Sequence, residues 1–367
     1  MDMQAYSEMI HNIVIPGTLS DEEKEKRYQP LRDFLQSETP EKLYRFRKCD
    51  EKSISAFDQD QIWVSPGCKM NDDFDALLYF DRELIKSNLK ATSENEQLIS
   101  SLQSFGQGAE FFSEIQNSTL AEILDKRRND IAQMDPSAMK ASLNQIYSFL
   151  ANQIDIDDAA VRQIVQRTSK FASFTSEIDS AAMWGYYADS SKGFALSYDF
   201  RNRNYTKCDS CKTGTQCPDH KACMIAPIIY RDNCFDATVF ATWLFQLDIA
   251  EKMLMNTNNP ALYGLIQTIT PPCPDVFMLT KILLHKAAAW KHEFEWRLTC
   301  YCRSPKFNQQ ESSYVEKKPT AVYLGRRISQ TDEKKLRQIA LGKNIPVYKM
   351  QIQQGNPEYK LHPKKIS

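Results

Sequence analysis

The sequence predicts an α+β fold: a mixed, twisted sheet flanked by helices, with a helical insert and a small cysteine-rich loop. Three observations predict it. Short segments alternating apolar and polar residues recur towards both ends of the chain, as half-buried strands require. Between them, residues 82–168 are rich in Glu, Lys, Gln, Leu and Ala and poor in strand formers, which is a helical composition. Cys208, Cys211, Cys217 and Cys223 then crowd one short polar segment.

A chain of 367 residues is long enough to bury a core, and 42% hydrophobic with 25% charged residues is ordinary for a folded protein. The 46 basic and 47 acidic side chains nearly cancel, which removes any argument from charge for general nucleic-acid or membrane binding and leaves a local patch as the alternative. No apolar run approaches a membrane span, and the start of the chain lacks the basic and apolar stretches of a secretion signal. A cytoplasmic location with reduced cysteines is therefore expected.

In order along the chain, residues 1–40 form an N-terminal helical segment ending near Thr39-Pro40. The first part of the α+β core, 41–81, holds the strand Leu43-Tyr44-Arg45-Phe46-Arg47, burying Tyr44 and Phe46 and turning Arg45 and Arg47 the other way. A second strand at 61–65 runs into a Pro66-Gly67 turn and the acidic loop 71–75. The insert, 82–168, is broken near residues 106–108 and at Asp135-Pro136. The remainder of the core, 169–367, contains the loop 207–224. Its strands are expected at 171–176, 193–198, 225–230, 321–324 and 347–350, with a helical turn at 183–189 and helices at 235–257, 275–291 and 330–342.

The most informative strand is expected at 291–298. Alternation sets Phe294, Trp296 and Leu298 on one face and Glu293, Glu295 and Arg297 on the other. Two neighbouring carboxylates raise one another's pKa while an arginine lowers it, so such a pair can orient a hydroxyl and stabilise positive charge. An exposed face bridged by Arg297 is the bland alternative.

Four cysteines and His220 within sixteen residues, 208–223, with Gly and Pro turns, suit a closed, structural zinc site. Its ligands are Cys208, Cys211 and Cys217, with Cys223 or His220 fourth. Asn71, Asp72, Asp73 and Asp75 offer hard oxygen ligands that, with Glu293, Glu295 and Lys286, fit a Mg²⁺- or Mn²⁺-dependent nuclease. The simpler reading of that loop is that Asp72 or Asp73 caps the segment beginning at Phe74. Trp184 is expected in the core, and Tyr187 and Asp189 at a pocket lip.

Several segments resemble the uncharacterised prokaryotic family known as domain of unknown function twenty-nine seventy-one. They are 43–46, 62–66, 70–75, 174–177, 183–189 with Gly193-Phe194, Trp290 with 293–297, and 322–325. The family usually has proline where this chain has Asp73. The resemblance implies a shared site on the glutamate strand without naming a reaction.

The motif order is also similar to that of mono-ADP-ribosyltransferases, which carry an early basic residue, a Ser/Thr-rich strand and a late Glu-x-Glu strand. That similarity implies Arg45 on the NAD⁺ pyrophosphate, with Ser173, Thr175, Ser176 and Tyr187 around the cofactor. It implies Glu295 as the catalytic carboxylate and Glu293 as activator of the acceptor. The acceptor would be a protein or nucleic acid, and a toxin or antiphage effector of this kind implies a neutralising partner. A carboxylate nuclease and a non-catalytic module gripping a basic partner are the rival expectations.

Overall fold

The computed structural model describes residues 2–97, 99–100, 104, 133–201, 221–255, 272–302, 312–353, 355 and 357–367. Two helices open the chain, α1 (Met3–Asn12) and α2 (Asp21–Glu38). The second starts with a reciprocal Ser20–Glu23 capping box, which satisfies backbone N–H groups that the first turn leaves unpaired. Their apolar stripe, including Tyr6, Ile10, Leu31 and Leu35, packs on Ala226, Ile228 and Ile229.

Strand β1 (Leu43–Arg47) leads through α3 (Glu51–Asp58) to β2 (Gln61–Pro66). Helices α4 (Arg82–Ser93), α5 (Pro136–Arg162) and α6 (Ile164–Thr168) follow. Asp135 caps α5 with Pro136 in its first turn, where a missing N–H costs nothing. The apolar faces of this segment pack with Phe171, Phe240 and Phe245 in a core of their own.

The sheet resumes with β3 (Lys170–Thr175), short helix α7 (Ala181–Tyr186), β4 (Phe194–Tyr198), β5 (Lys221–Pro227) and β6 (Ile229–Arg231). The single strand expected at 225–230 is thus two, broken at Pro227-Ile228. After α8 (Thr238–Met255), helix α9 (Met278–Leu283) is much shorter than expected. Residues 285–287 instead form β7 (His285–Ala287), paired in parallel with β6. The chain ends with β8 (Glu295–Cys302), β9 (Ser313–Glu316), β10 (Ala321–Leu324), α10 (Gln330–Gly342), β11 (Val347–Gln351) and β12 (His362–Lys365).

The large sheet is mixed, as expected: β12-β11-β10-β4-β1-β3-β2-β9, with β8 and then β5 added beside β3. Among its described strands, only β10 and β11 pair in parallel. Strand β8 occupies one edge of β3 along its whole length. Both β1 and β2 use the other edge, β1 at Thr175 and β2 at Phe171 and Lys170, so the sheet splits there. One face buries Phe174, Trp296 and Leu298 with α3 and α10. The other carries Tyr44, Phe46 and Tyr323 beneath Trp184. Among the described residues, no helix is long and apolar enough to cross a membrane.

Helix α10 shows how the sequence pattern converts to stability. Leu336 is 0% exposed against the sheet, whereas Leu341 on the far side is 82% exposed. Leu336→Ala is expected to cost about 2–5 kcal/mol by urea unfolding. Leu341→Ser should stay within about 0.5 kcal/mol of the parent. Equal losses would mean that the helix packs on the other stripe.

Candidate functional site

The expected glutamate strand is part strand and part turn. Residues 288–293 form a 3-10 turn that ends at Phe294 with a left-handed φ of 46°. Glu293 is therefore not related to Glu295 by strand alternation; the turn brings it to the same place. The same left-handed residue turns Phe294 out to 52% exposure, away from the buried Trp296 and Leu298.

Glu295 and Arg297 do share a face of β8, and both are buried, at 3% and 0% exposed. Arg297 donates to Glu295 Oε1 from Nε (3.0 Å) and Nη2 (2.8 Å). It also donates to both Asp75 oxygens (2.8 and 3.1 Å) and to the Leu283 carbonyl (2.7 Å). Its guanidinium lies 4.0 Å from the centre of the Phe171 ring. Lys286, delivered by β7, donates to Glu293 Oε2 (2.6 Å) and Glu295 Oε2 (2.9 Å). Tyr187 donates its hydroxyl to Glu293 Oε1 at 2.5 Å and accepts from Asn71 at 3.2 Å.

Local structure fixes Tyr187. Ser180 caps α7, and the chain beyond Tyr187 passes through three left-handed residues, Asp189, Ser190 and Ser191. That turn rests on Gly193 and Gly325, where a side chain would collide with the neighbouring backbone. Tyr230 completes the floor by accepting the Glu295 backbone N–H at 2.8 Å.

The electrostatics follow from this packing. Burial pushes the Asp75 carboxyl up, against the pull of Arg297. Burial also works to raise Glu295, but Arg297 and Lys286 outweigh it and hold it at about 2. Desolvation disfavours the charged form of Lys286, yet the two glutamates raise it above the ordinary lysine range. Three carboxylates (Asp75, Glu293, Glu295) thus meet two cations (Lys286, Arg297), a formal excess of one negative charge.

Ser173 and Thr175 lie on this face. Ser173 is exposed and hydrogen-bonds to Glu295. Thr175 pairs with Glu295 across the sheet, and its hydroxyl accepts the Glu177 N–H at 3.0 Å. Ser176 joins through its backbone, donating to the Phe294 carbonyl at 3.3 Å. Arg45 does not join them. Tyr44, not Arg45, pairs with Thr175, so alternation places Arg45 on the opposite face, 5.6 Å from the Phe174 ring centre. The position on β1 that faces the glutamates belongs to a tyrosine.

Asp72 caps the turn at Phe74, accepting its N–H at 3.0 Å, although no helix begins there. Asp75 is committed to Arg297, and among the described residues no group of three His, Cys, Asp or Glu is arranged to hold a metal ion. Cys208, Cys211, Cys217 and His220 lie outside the described residues. Cys223 is on β5, cross-strand from Cys300 with the two sulfurs 2.6 Å apart, so its nearest partner is that thiol. Asp75, Lys286 and Tyr230 are the site residues whose roles sequence reasoning missed. Closeness in sequence to the glutamates singles out Lys286, and its place within the apolar run 282–290 is a second signal that it is buried and paired.

A group whose folded pKa is depressed stabilises the fold above its unfolded pKa and loses that contribution as pH falls. Glu295 should therefore stabilise the protein fully above about pH 4.5, with the contribution lost as pH falls towards 2. Asp75, shifted the other way, takes up its proton earlier and blunts the loss. In urea titrations across this range, Glu295→Gln is expected to flatten the acid limb while lowering stability at neutral pH. A limb parallel to the parent's would remove Glu295 from the account.

No curated protein and no solved structure matches the chain. Residues 183–298, which carry Tyr187, Lys286, Glu293, Glu295 and Arg297, match the model of a family described as Protein of unknown function (DUF2971), and over that stretch the chain resembles this uncharacterised family.

Proposed function

We propose that the protein is an NAD⁺-dependent ADP-ribosyltransferase-like enzyme with its site on the glutamate face. One observation carries the reading. Tyr44 on β1, Thr175 on β3 and Glu295 on β8 are successive partners in a single row across the sheet. The three strands of the motif order are thus neighbours, in the order that would let them build one site.

In the reaction, the bond between nicotinamide nitrogen and ribose C1″ breaks and its electron pair neutralises the pyridinium. Positive charge develops on the ribose, and an acceptor nucleophile attacks C1″ and gives up its proton. A carboxylate fixed in place and ionised before the reaction stabilises that charge without reorganising. Glu295 meets both conditions, and the excess negative charge of the cluster adds to the effect. Glu293, bonded to Tyr187 at its outer edge, is suited to receive the acceptor's proton. With Arg45 on the other face, substrate is held here by Ser173, Thr175 and the tyrosines rather than by an arginine. The cellular role that fits is a cytoplasmic toxin or antiphage effector modifying a protein or nucleic acid, held in check by a neutralising partner.

Nicotinamide release from NAD⁺ by the intact protein tests this without knowledge of the acceptor. Glu295→Gln is expected to lower release by about 10²–10³-fold with an unchanged circular dichroism spectrum. No release, or equal release by the variant, overturns the reading. Loss of binding to a basic partner on reversing Glu293 would then favour a non-catalytic module, and chelator-sensitive cleavage of nucleic acid a nuclease.

A structural zinc ion on Cys208, Cys211 and Cys217 is a second proposal, with His220 the better fourth ligand because Cys223 faces Cys300. Elemental analysis should find one zinc per chain in the parent. Cys211→Ser is expected to lose it and Cys223→Ser to keep it.

A further inference from the structure

The split in the sheet creates a second cleft. From the shared edge of β3, β1 and β2 diverge, and α3 spans the gap between their ends. The space enclosed is about 860 Å³, within the usual size of small-molecule sites. Arg45 and Arg47 lie in it, from one face of β1, with Lys52 of α3 and Lys69. Among the described residues that line it, the four cations face one carboxylate, Glu51, with Asp50 near Arg47, so this part of the cleft carries excess positive charge.

Arg45 is held in place but not neutralised. Its Nη2 donates to the Trp63 carbonyl at 2.6 Å and its guanidinium rests over Phe174. Its Nε and Nη1 are buried with no hydrogen-bond partner. Arg47 donates only weakly, from Nη1 to the Phe46 carbonyl at 3.4 Å. Burial, and for Arg45 the like charge of Arg47, disfavours the charged form of both, yet guanidinium groups stay protonated. Arg297 shows the contrast: equally desolvated, it is met by two carboxylates. A buried cation with open donors costs stability unless an anion completes it.

The rest of the lining fits a planar group. Trp63 is 40% exposed in the cleft, with its indole N–H turned aside onto Gln61 at 3.2 Å. Tyr198 forms part of the wall, and the Ser65 and Ser312 hydroxyls, 3.2 Å apart, supply neutral polar groups. We propose that this cleft binds a nucleotide, its phosphates on Arg45 and Arg47 and its base against Trp63. Its two arginines lie on the opposite face of the sheet from Glu295, and the site stands whether or not NAD⁺ is processed there.

Calorimetric titration of the full chain with ADP, adenosine, inorganic phosphate and a 5′-phosphorylated oligonucleotide tests it. ADP is expected to bind at least about tenfold more tightly than adenosine, as charge-assisted bonds to phosphate require. Arg47→Ala should weaken ADP by about tenfold or more. Trp63→Ala should weaken ADP but not inorganic phosphate. Arg45→Met should leave the melting temperature of the unligated protein unchanged or higher, and abolish the rise that ADP gives. A fall in that temperature would make Arg45 a structural residue and overturn the assignment. An oligonucleotide that binds more tightly than ADP supports the site and identifies a nucleic-acid end as the source of the same phosphate and base. No ADP binding, or binding that survives Arg47→Ala but falls with Glu295→Gln, overturns the proposal.

Discussion

The architecture of the glutamate face depends on the buried guanidinium of Arg297. It joins β8 to the loop after β2 through Asp75, to the end of α9 through the Leu283 carbonyl, and to β3 through the Phe171 ring. A charge so placed would be costly alone, because desolvation of an arginine is recovered only with good geometry and filled donors. Here every arm of the fork is occupied. Removing one partner would leave the others as uncompensated buried charge, so the group behaves as a unit rather than as separate ion pairs.

That unit constrains what the surface above it can do. Asp75 and the inner oxygen of Glu295 are spent on holding Arg297, and Lys286 bridges the two glutamates. What remains near solvent is the half-buried Tyr187, which covers Glu293, and the exposed Ser173 beside Glu295. The two faces of the sheet thus differ in kind. One has excess negative charge in a closed network, and the other has excess positive charge in an open cleft.

Much of this was legible in the sequence, and the exceptions have physical reasons. Strands such as Leu43–Arg47 and Ala321–Leu324 announce themselves by period and composition. The helix expected through residues 284–291 did not form because His285–Ala287 finds a partner in β6, a pairing between segments more than fifty residues apart. Alternation rightly set Arg45 opposite Tyr44 but could not say which face met Glu295; that follows from the Tyr44–Thr175 register. The left-handed Phe294 escaped notice because it is neither glycine nor asparagine, the residues that usually mark such a turn. The sequence groups Asp75 and Lys286 with the glutamates only as a metal-dependent cluster; that they pair with Arg297 and Glu295 instead follows from the assembled fold.

Strands β2 and β3 pair at Pro66 and Lys170, so the chain leaves the sheet and re-enters it at adjacent points. Everything between is topologically one excursion, and the entropy of closing it grows only slowly with its length. The excursion is anchored at its start, where Asn71 and Asp75 reach Tyr187 and Arg297, and at its end, where Gln166 bonds back to the Asp73 and Asp75 carbonyls. Those anchors close a short collar around the base of the helical segment. The apolar faces of those helices pack with Phe171, whose ring lies against Arg297, so the excursion also supports the charged face from below.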